Sequence, residues 1–391
     1  MSDSALSISS AASLRSCPRL YFFSYEIGAQ RVKRVEQDTR RVGSVFHLGL
    51  EDWWKHIGRG DAPWLRSTKD EALVKAMAAI DAGAVRHQAD VYEHGLAVAM
   101  MIAYHARWSH LEFTLVGVEE KFRVPLVDPD GVRVHGWVFI GRKDARIRID
   151  DEVKLVEHKT TSADISAGSS YWEKLRIDPQ ATGYIDAARL SGEPVSEILW
   201  DATRKPDIEP MRATPEADRK YTQGLGCKAC GGGKGKRGAG VDASGAPCPA
   251  CCFSVDAAPG DDPPPVPGWK EAPALYARQR LEDEKPIDYQ QRVLAELAAN
   301  PTAYLAHVPI TRNARELADA RADLVSVACE IDGMRKRSRS LADPRHGFPR
   351  NTNACFNYGR RCDFFEVCSG QASIDDQTLY TIRPRYNDPR K

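Results

Sequence analysis

The chain has 391 residues, 42% of them hydrophobic and 28% charged, enough to bury a sizeable core and still carry insertions. Its formal net charge of +1 excludes a global field that would draw it to nucleic acid, so any DNA-binding surface has to be a local basic groove. The longest apolar run, near residues 96–104, is too short to span a bilayer, and residues 1–13 lack the basic and apolar regions of a secretory leader. These features predict a cytoplasmic protein without a membrane partner, whose ten cysteines serve as metal ligands rather than disulfides.

Residues 1–13, rich in Ser and Ala, are expected to be disordered. Cys17 precedes Tyr21-Phe22-Phe23 and Tyr25 and by itself reads as a buried core thiol. Residues 40–47 lead into Leu48, Leu50, Trp53 and Trp54 at helical spacing, with His47 in the first turns. A lone histidine there is usually structural, although imidazole is also the commonest metal ligand. Helical spacing continues over residues 67–107, through Ala72, Val74, Met77 and Ile80 and then 91–104.

From Leu111 the period changes to two, through Leu115, Phe122, Val124 and Leu126, and beyond the Asp128-Pro129-Asp130-Gly131 turn through Val132 and Val134. A hairpin follows, in which Ala145, Ile147 and Ile149 precede an Asp150-Asp151 turn and Val153 and Leu155 come after it. A two-residue loop would set Ile149 opposite Glu152 and Asp144 opposite Glu157. Glu157 and Lys159, two apart, share that face, and His158 points away from it. Carboxylates held so close repel, and the remedies are a shared proton or a hard divalent cation. A lysine beside the cation can orient water or offset charge on a phosphate. A surface hairpin carrying an ion pair is the plain alternative. The expected core is helices followed by a mostly antiparallel sheet with the acidic site on its last two strands.

Asp178-Pro179 starts a helix that puts Gln180 and Tyr184 on one face and ends at Gly192. Residues 196–202 fit a strand whose exit carries Arg204 and Lys205. Residues 206–270 read as an insertion in which Cys227-x2-Cys230 and Cys248-x2-Cys251, 17 residues apart, have four-thiolate zinc spacing, with Cys252 as a spare. Residues 231–240 form a flexible basic loop there, and 257–267 an extended linker. Helical patterns follow over 286–299 and 314–334, and the basic residues just beyond, Arg335, Lys336, Arg337 and Arg339, read mainly as solvated. Cys355, Cys362 and Cys368 cannot complete a four-thiolate site alone, and the candidates for a fourth ligand are Cys17 and Cys329. The expected organisation is a disordered start (1–13), a core (14–205), an insertion with linker (206–270), a helical region (271–345) and a cysteine-bearing segment with tail (346–391).

Gly43-x3-His47, Gly141-x2-Asp144, Glu157-x-Lys159-Thr160 and Gln180-x3-Tyr184, bracketed by Cys17 and by Cys355, Cys362 and Cys368, resemble RecB-type nucleases of the PD-(D/E)XK superfamily. More closely, the pattern is similar to the iron–sulfur branch that includes AddB nuclease domains, CRISPR-associated RecB-like exonucleases and phage-encoded relatives. The resemblance implies an α/β fold, a restriction-endonuclease-like core with a mixed central sheet flanked by helices, here with helical additions and a zinc-knuckle insertion. It implies that His47, Asp144 and Glu157 bind Mg²⁺ or Mn²⁺, that Lys159 is catalytic, and that Gln180 and Tyr184 form the motif following the core, with Arg204 and Lys205 also facing DNA. Cys17, Cys355, Cys362 and Cys368 would hold a 4Fe–4S cluster that staples the two ends of the chain. The implied activity is hydrolysis of DNA from single strands or duplex ends in recombination, repair or phage replication, in a bacterial or phage-infected cell, with DNA and a recombination or replication protein as partners. A non-cleaving DNA-binding or assembly module and a redox protein are the alternatives. Three departures stand out: Glu-His-Lys replaces the frequent Asp-Tyr-Lys, with the outward His158 expected to be of no consequence; six residues separate Cys355 from Cys362 where several family members have two; and the zinc-like insertion is not general to the family.

Overall fold

The computed structural model describes residues 3–32, 41–57, 69–219, 279–357 and 360–383. The chain divides into two compact units, Met1–Ile208 with Gln290–Lys391, and Glu209–Tyr289.

The larger unit begins where disorder was expected. β1 (Ser4–Leu6) and α1 (Ile8–Ser16) are formed because two leucines anchor an otherwise polar stretch, Leu6 and Leu14 being fully buried. Ser7 and Ser10 cap α1 reciprocally, which satisfies helix N–H groups that serine-rich coil would leave to water. α2 (Pro18–Tyr21) leads to β2 (Ala29–Arg31). Then come α3 (Arg41–His56), α4 (Lys69–His87) and α5 (Val91–Trp108), the last started by an Asp90–Glu93 capping box. Their shared interior is aromatic, with Trp53, Trp54, Tyr104 and Trp108 at or near zero exposure.

β3 (Thr114–Val127) pairs antiparallel with β4 (Arg133–Ile149), and β4 with β5 (Glu152–Thr161). The hairpin has the expected register, Ile149 opposite Glu152 and Ala145 opposite Val156. Asp150 and Asp151 both take positive φ, 49° and 64°, which a type I′ loop requires and short polar side chains tolerate. From β5 the chain crosses through α6 (Ser170–Lys174) and α7 (Pro179–Leu190) to β6 (Val195–Arg204), which lies parallel to β5. Beyond α8 (Pro286–Ala299) and α9 (Pro301–Tyr304), β7 (Leu305–Ile310) adds antiparallel to β6, and α10 (Ala314–Arg339) follows. β1 adds in parallel to β4 at Trp137–Phe139.

The sheet is therefore mixed, and β4 and β5 lie in its interior instead of forming its last two strands. Alternation identifies a strand but not its neighbours, and β1 and β7 escaped it: one has three residues, the other carries His307 and Pro309. One face of the sheet meets α3 and α5, where Trp54 packs on His158 with ring centroids 5.2 Å apart. Another core joins Phe122, Phe139, Leu155, Ile198 and Trp200 to Tyr184 and Ile185 of α7 and Ile331 of α10. Arg335 departs from the solvated reading, since it pairs with Glu26 at 2.7 Å and lies over the Trp137 ring. The two ends of the described chain are joined: β2 pairs with Tyr380–Ile382, and Arg31 makes a bidentate bond to Glu366 at 2.6 and 2.9 Å.

In the smaller unit Met211 and Glu284 exchange backbone and side-chain hydrogen bonds, and Arg212 pairs with Asp283. Cys227, Cys230, Cys248, Cys251, Cys252 and the linker 257–267 lie outside the described residues.

Candidate active site

Glu157 stands on β5 with 2% of its surface exposed. Its Oε1 accepts from Lys159 Nζ and from Gln180 Nε2, both at 2.5 Å, whereas its Oε2 is buried without a hydrogen-bond partner. Burial raises the Glu157 carboxyl to about 7; Asp144 pushes the same way and Lys159 opposes both. Asp144, on β4, accepts the His158 backbone N–H at 2.9 Å, so the strand carrying Glu157 also positions the second carboxylate. His47, on α3, lies 3.3 Å from the Thr160 hydroxyl. Burial, with the nearby His158, lowers its imidazole to about 4, which leaves the neutral ring that a metal requires.

α7 supplies the fourth side of the site. Asp178 caps it by accepting from the Gln180 and Ala181 N–H groups, and Pro179 fills the first helical position. This places Gln180 against Glu157, with Tyr184 one turn on, packed edge-on to Phe122 at 5.2 Å. Glycine at 141 follows from the same packing, because a Cβ there would come within 2.5 Å of the Phe122 ring and 3.1 Å of Tyr184. Arg204 and Lys205 leave β6 beside the end of β5, where Lys205 N–H bonds Thr161 O at 2.7 Å. The Arg204 guanidinium lies over Tyr304, with its Nε buried and unpartnered.

His158 corrects the expectation that it is of no consequence. It does leave the Glu157 face, but into the core beneath α3 and α5, at 5% exposure, with Nδ1 2.9 Å from Asp201 Oδ2. The Tyr104 hydroxyl, 3.5 Å from the same nitrogen, accepts from Trp54 Nε1. Period-two reasoning placed His158 on the other face without showing that helices cover that face. Asp201 was missed altogether, though a carboxylate inside the apolar run Ile-Leu-Trp-Asp-Ala is a signal that a buried partner exists.

The cysteines also sort. Cys17, Cys329, Cys355, Cys362 and Cys368 are all free thiols. Cys362 is pushed up to about 11, first by burial and then by Cys368, Asp363 and Cys17, and Cys368 is raised by burial with Cys17 and Cys355 contributing. Asn351 N–H donates to Cys17 Sγ at 3.4 Å, and Cys362 N–H bonds Cys355 O at 2.8 Å. Thus Cys17 neighbours Cys362 and Cys368, and Cys329 stands exposed on α10.

Among the described residues, no three His, Cys, Asp or Glu side chains are gathered tightly enough to hold a metal ion as they stand. The donor chemistry at Glu157 nevertheless fits a hard divalent cation: an orphaned buried carboxylate oxygen, a second carboxylate and a neutral imidazole.

The PD-(D/E)XK nuclease superfamily matches residues 5–369 of this chain. One subunit of an ATP-dependent helicase/deoxyribonuclease from Moorella thermoacetica is 31% identical over 229 residues, which cover 52% of this chain and 20% of that protein. The chain thus spans about a fifth of that relative's length.

Proposed function

The chain belongs to the PD-(D/E)XK nuclease superfamily, and on that premise we propose that it is a divalent-metal-dependent DNA exonuclease acting on single strands or duplex ends. The observation that carries this reading is the asymmetry of Glu157, one oxygen held by Lys159 and Gln180, the other buried, free and close to Asp144. His47, Asp144 and Glu157 would hold Mg²⁺ or Mn²⁺. Such a cation polarises a phosphate and acidifies water.

Lys159 would orient the attacking water or offset charge on the scissile phosphate. Gln180, with Lys159, holds Oε1 of Glu157 and leaves Oε2 without a hydrogen-bond partner. Tyr184, Arg204 and Lys205 would line the path of the DNA strand. The relative's name, that of one subunit of a helicase/deoxyribonuclease, supports action on DNA beside a partner protein, and recombination, repair or phage replication in the cytoplasm is the setting of this reading.

For Cys17, Cys355, Cys362 and Cys368 the reading is a 4Fe–4S cluster with a structural role, because phosphodiester hydrolysis transfers no electrons. Its support is that free thiols from both ends of the chain lie near enough to interact, Cys17 with Cys362 and Cys368, and Cys355 with Cys368. Cys227, Cys230, Cys248 and Cys251 would bind Zn²⁺, on their spacing. In protein purified without oxygen, Cys17→Ala is expected to remove the visible absorption of the cluster and Cys329→Ala to leave it unchanged. Loss of colour only in Cys329→Ala overturns the ligand set.

The activity itself is tested on end-labelled single- and double-stranded DNA with Mg²⁺ or Mn²⁺. A metal-dependent product ladder is expected. Intact DNA on every substrate, from a folded, cluster-loaded protein, would leave a binding module in place of a nuclease.

A further inference from the structure

Lys159 has a second neighbour that no sequence motif marks. Its Nζ lies over the indole of Trp200, 5.3 Å from the ring centroid, within the range in which an aromatic face attracts an ammonium. Trp200 stands directly opposite Glu157 on the parallel strand β6 and is 3% exposed. The ring has a fixed orientation because its Nε1–H donates to the Tyr171 hydroxyl of α6 at 3.0 Å.

The arrangement matters because of what Lys159 loses when the site is used. Among the described residues its carboxylate partner is Glu157 Oε1, already shared with Gln180. A cation on Glu157 competes for that oxygen's charge and repels the ammonium. The indole face offers negative potential with no formal charge for the metal to claim. It holds the lysine near the reacting phosphate without competing as a ligand.

We propose that Trp200, locked by Tyr171, is the positioning residue for Lys159. Its effect on turnover rests on the nuclease reading above; the contact itself does not.

The Lys159 side chain is about one-third exposed (32%), so reductive methylation with ¹³C-formaldehyde can label it. Its signal is identified by its absence in Lys159→Arg. In metal-free protein the ring current of Trp200 is expected to shift the Lys159 methyl resonance upfield. Trp200→Leu should return it to the position of exposed lysines, with Trp200→Phe in between. In DNA cleavage, Trp200→Leu is expected to lower kcat roughly three- to thirtyfold with KM within about twofold, and Trp200→Phe to recover part of the loss.

An unshifted Lys159 signal in the wild type overturns the proposal, as does wild-type turnover by Trp200→Leu. So do equal losses in the Phe and Leu variants that track a lowered unfolding midpoint, since packing alone would then explain them. If the wild type cleaves nothing, the nuclease reading falls and the methyl signal alone decides the contact: shifted upholds it, unshifted removes it.

Discussion

Asp144→Asn, Glu157→Gln and Lys159→Ala are each expected to reduce metal-dependent DNA cleavage by roughly 10²- to 10⁴-fold, the range seen when one group of a preorganised charged site is deleted. The two carboxylate substitutions should leave the unfolding midpoint at or above the wild-type value, whereas Lys159→Ala, which removes the cation paired with the buried Glu157, should lower it. Glu157 is almost wholly buried with an unpartnered oxygen and lies near a second carboxylate, so its ionised form is held against desolvation and repulsion. Glutamine keeps the shape and drops the charge. The acidic pair thus costs stability, and a site retained against such a cost is the mark of function. Chemical unfolding and cleavage measured on the same preparations separate the cases. Activity and midpoint falling together in all three variants would reduce the cluster to an ordinary structural ion pair.

How much of this site was legible depends on the range of the interaction that makes it. The hairpin is local: a two-residue Asp-Asp loop sets the register, and that register brings Asp144 beside the Glu157 strand, where it accepts the His158 N–H. The cap at Asp178-Pro179 is local too, and so Gln180 arrives where helical spacing put it. The choice between Cys17 and Cys329 could not be made from spacing. The contacts that bear on it, the pairing of β2 with Tyr380–Ile382 and Phe23 packing against Phe364, run between opposite ends of the chain. The order of residues 3–16 was likewise hidden, because it comes from a three-residue strand joining β4 at Trp137–Phe139. Burial of His158 needed knowledge of which helices cover the sheet, and alternation along one strand contains none.

That buried histidine leads to the largest stability effect. Asp201→Ala is expected to destabilise the protein by about 3–5 kcal/mol, the cost of leaving a buried charged or hydrogen-bonding partner alone. His158 and Asp201 are both about 5% exposed, their only close polar neighbour is Tyr104 among the described bonds, and His158 Nε2 is already unsatisfied. Asp201→Asn retains an acceptor and should lose less. The double variant His158→Phe/Asp201→Val removes both polar groups and sets a ring against Trp54, so it is expected to regain most of the stability lost by Asp201→Ala. Denaturant unfolding of the single and double variants gives the coupling directly. Additive losses would mean that the pair does not act as a unit. Regained stability with cleavage still intact would show that the backbone N–H of residue 158 is enough to hold Asp144. Regained stability with cleavage lost would show that the imidazole itself, anchored to β6, keeps that N–H and its carboxylate in place.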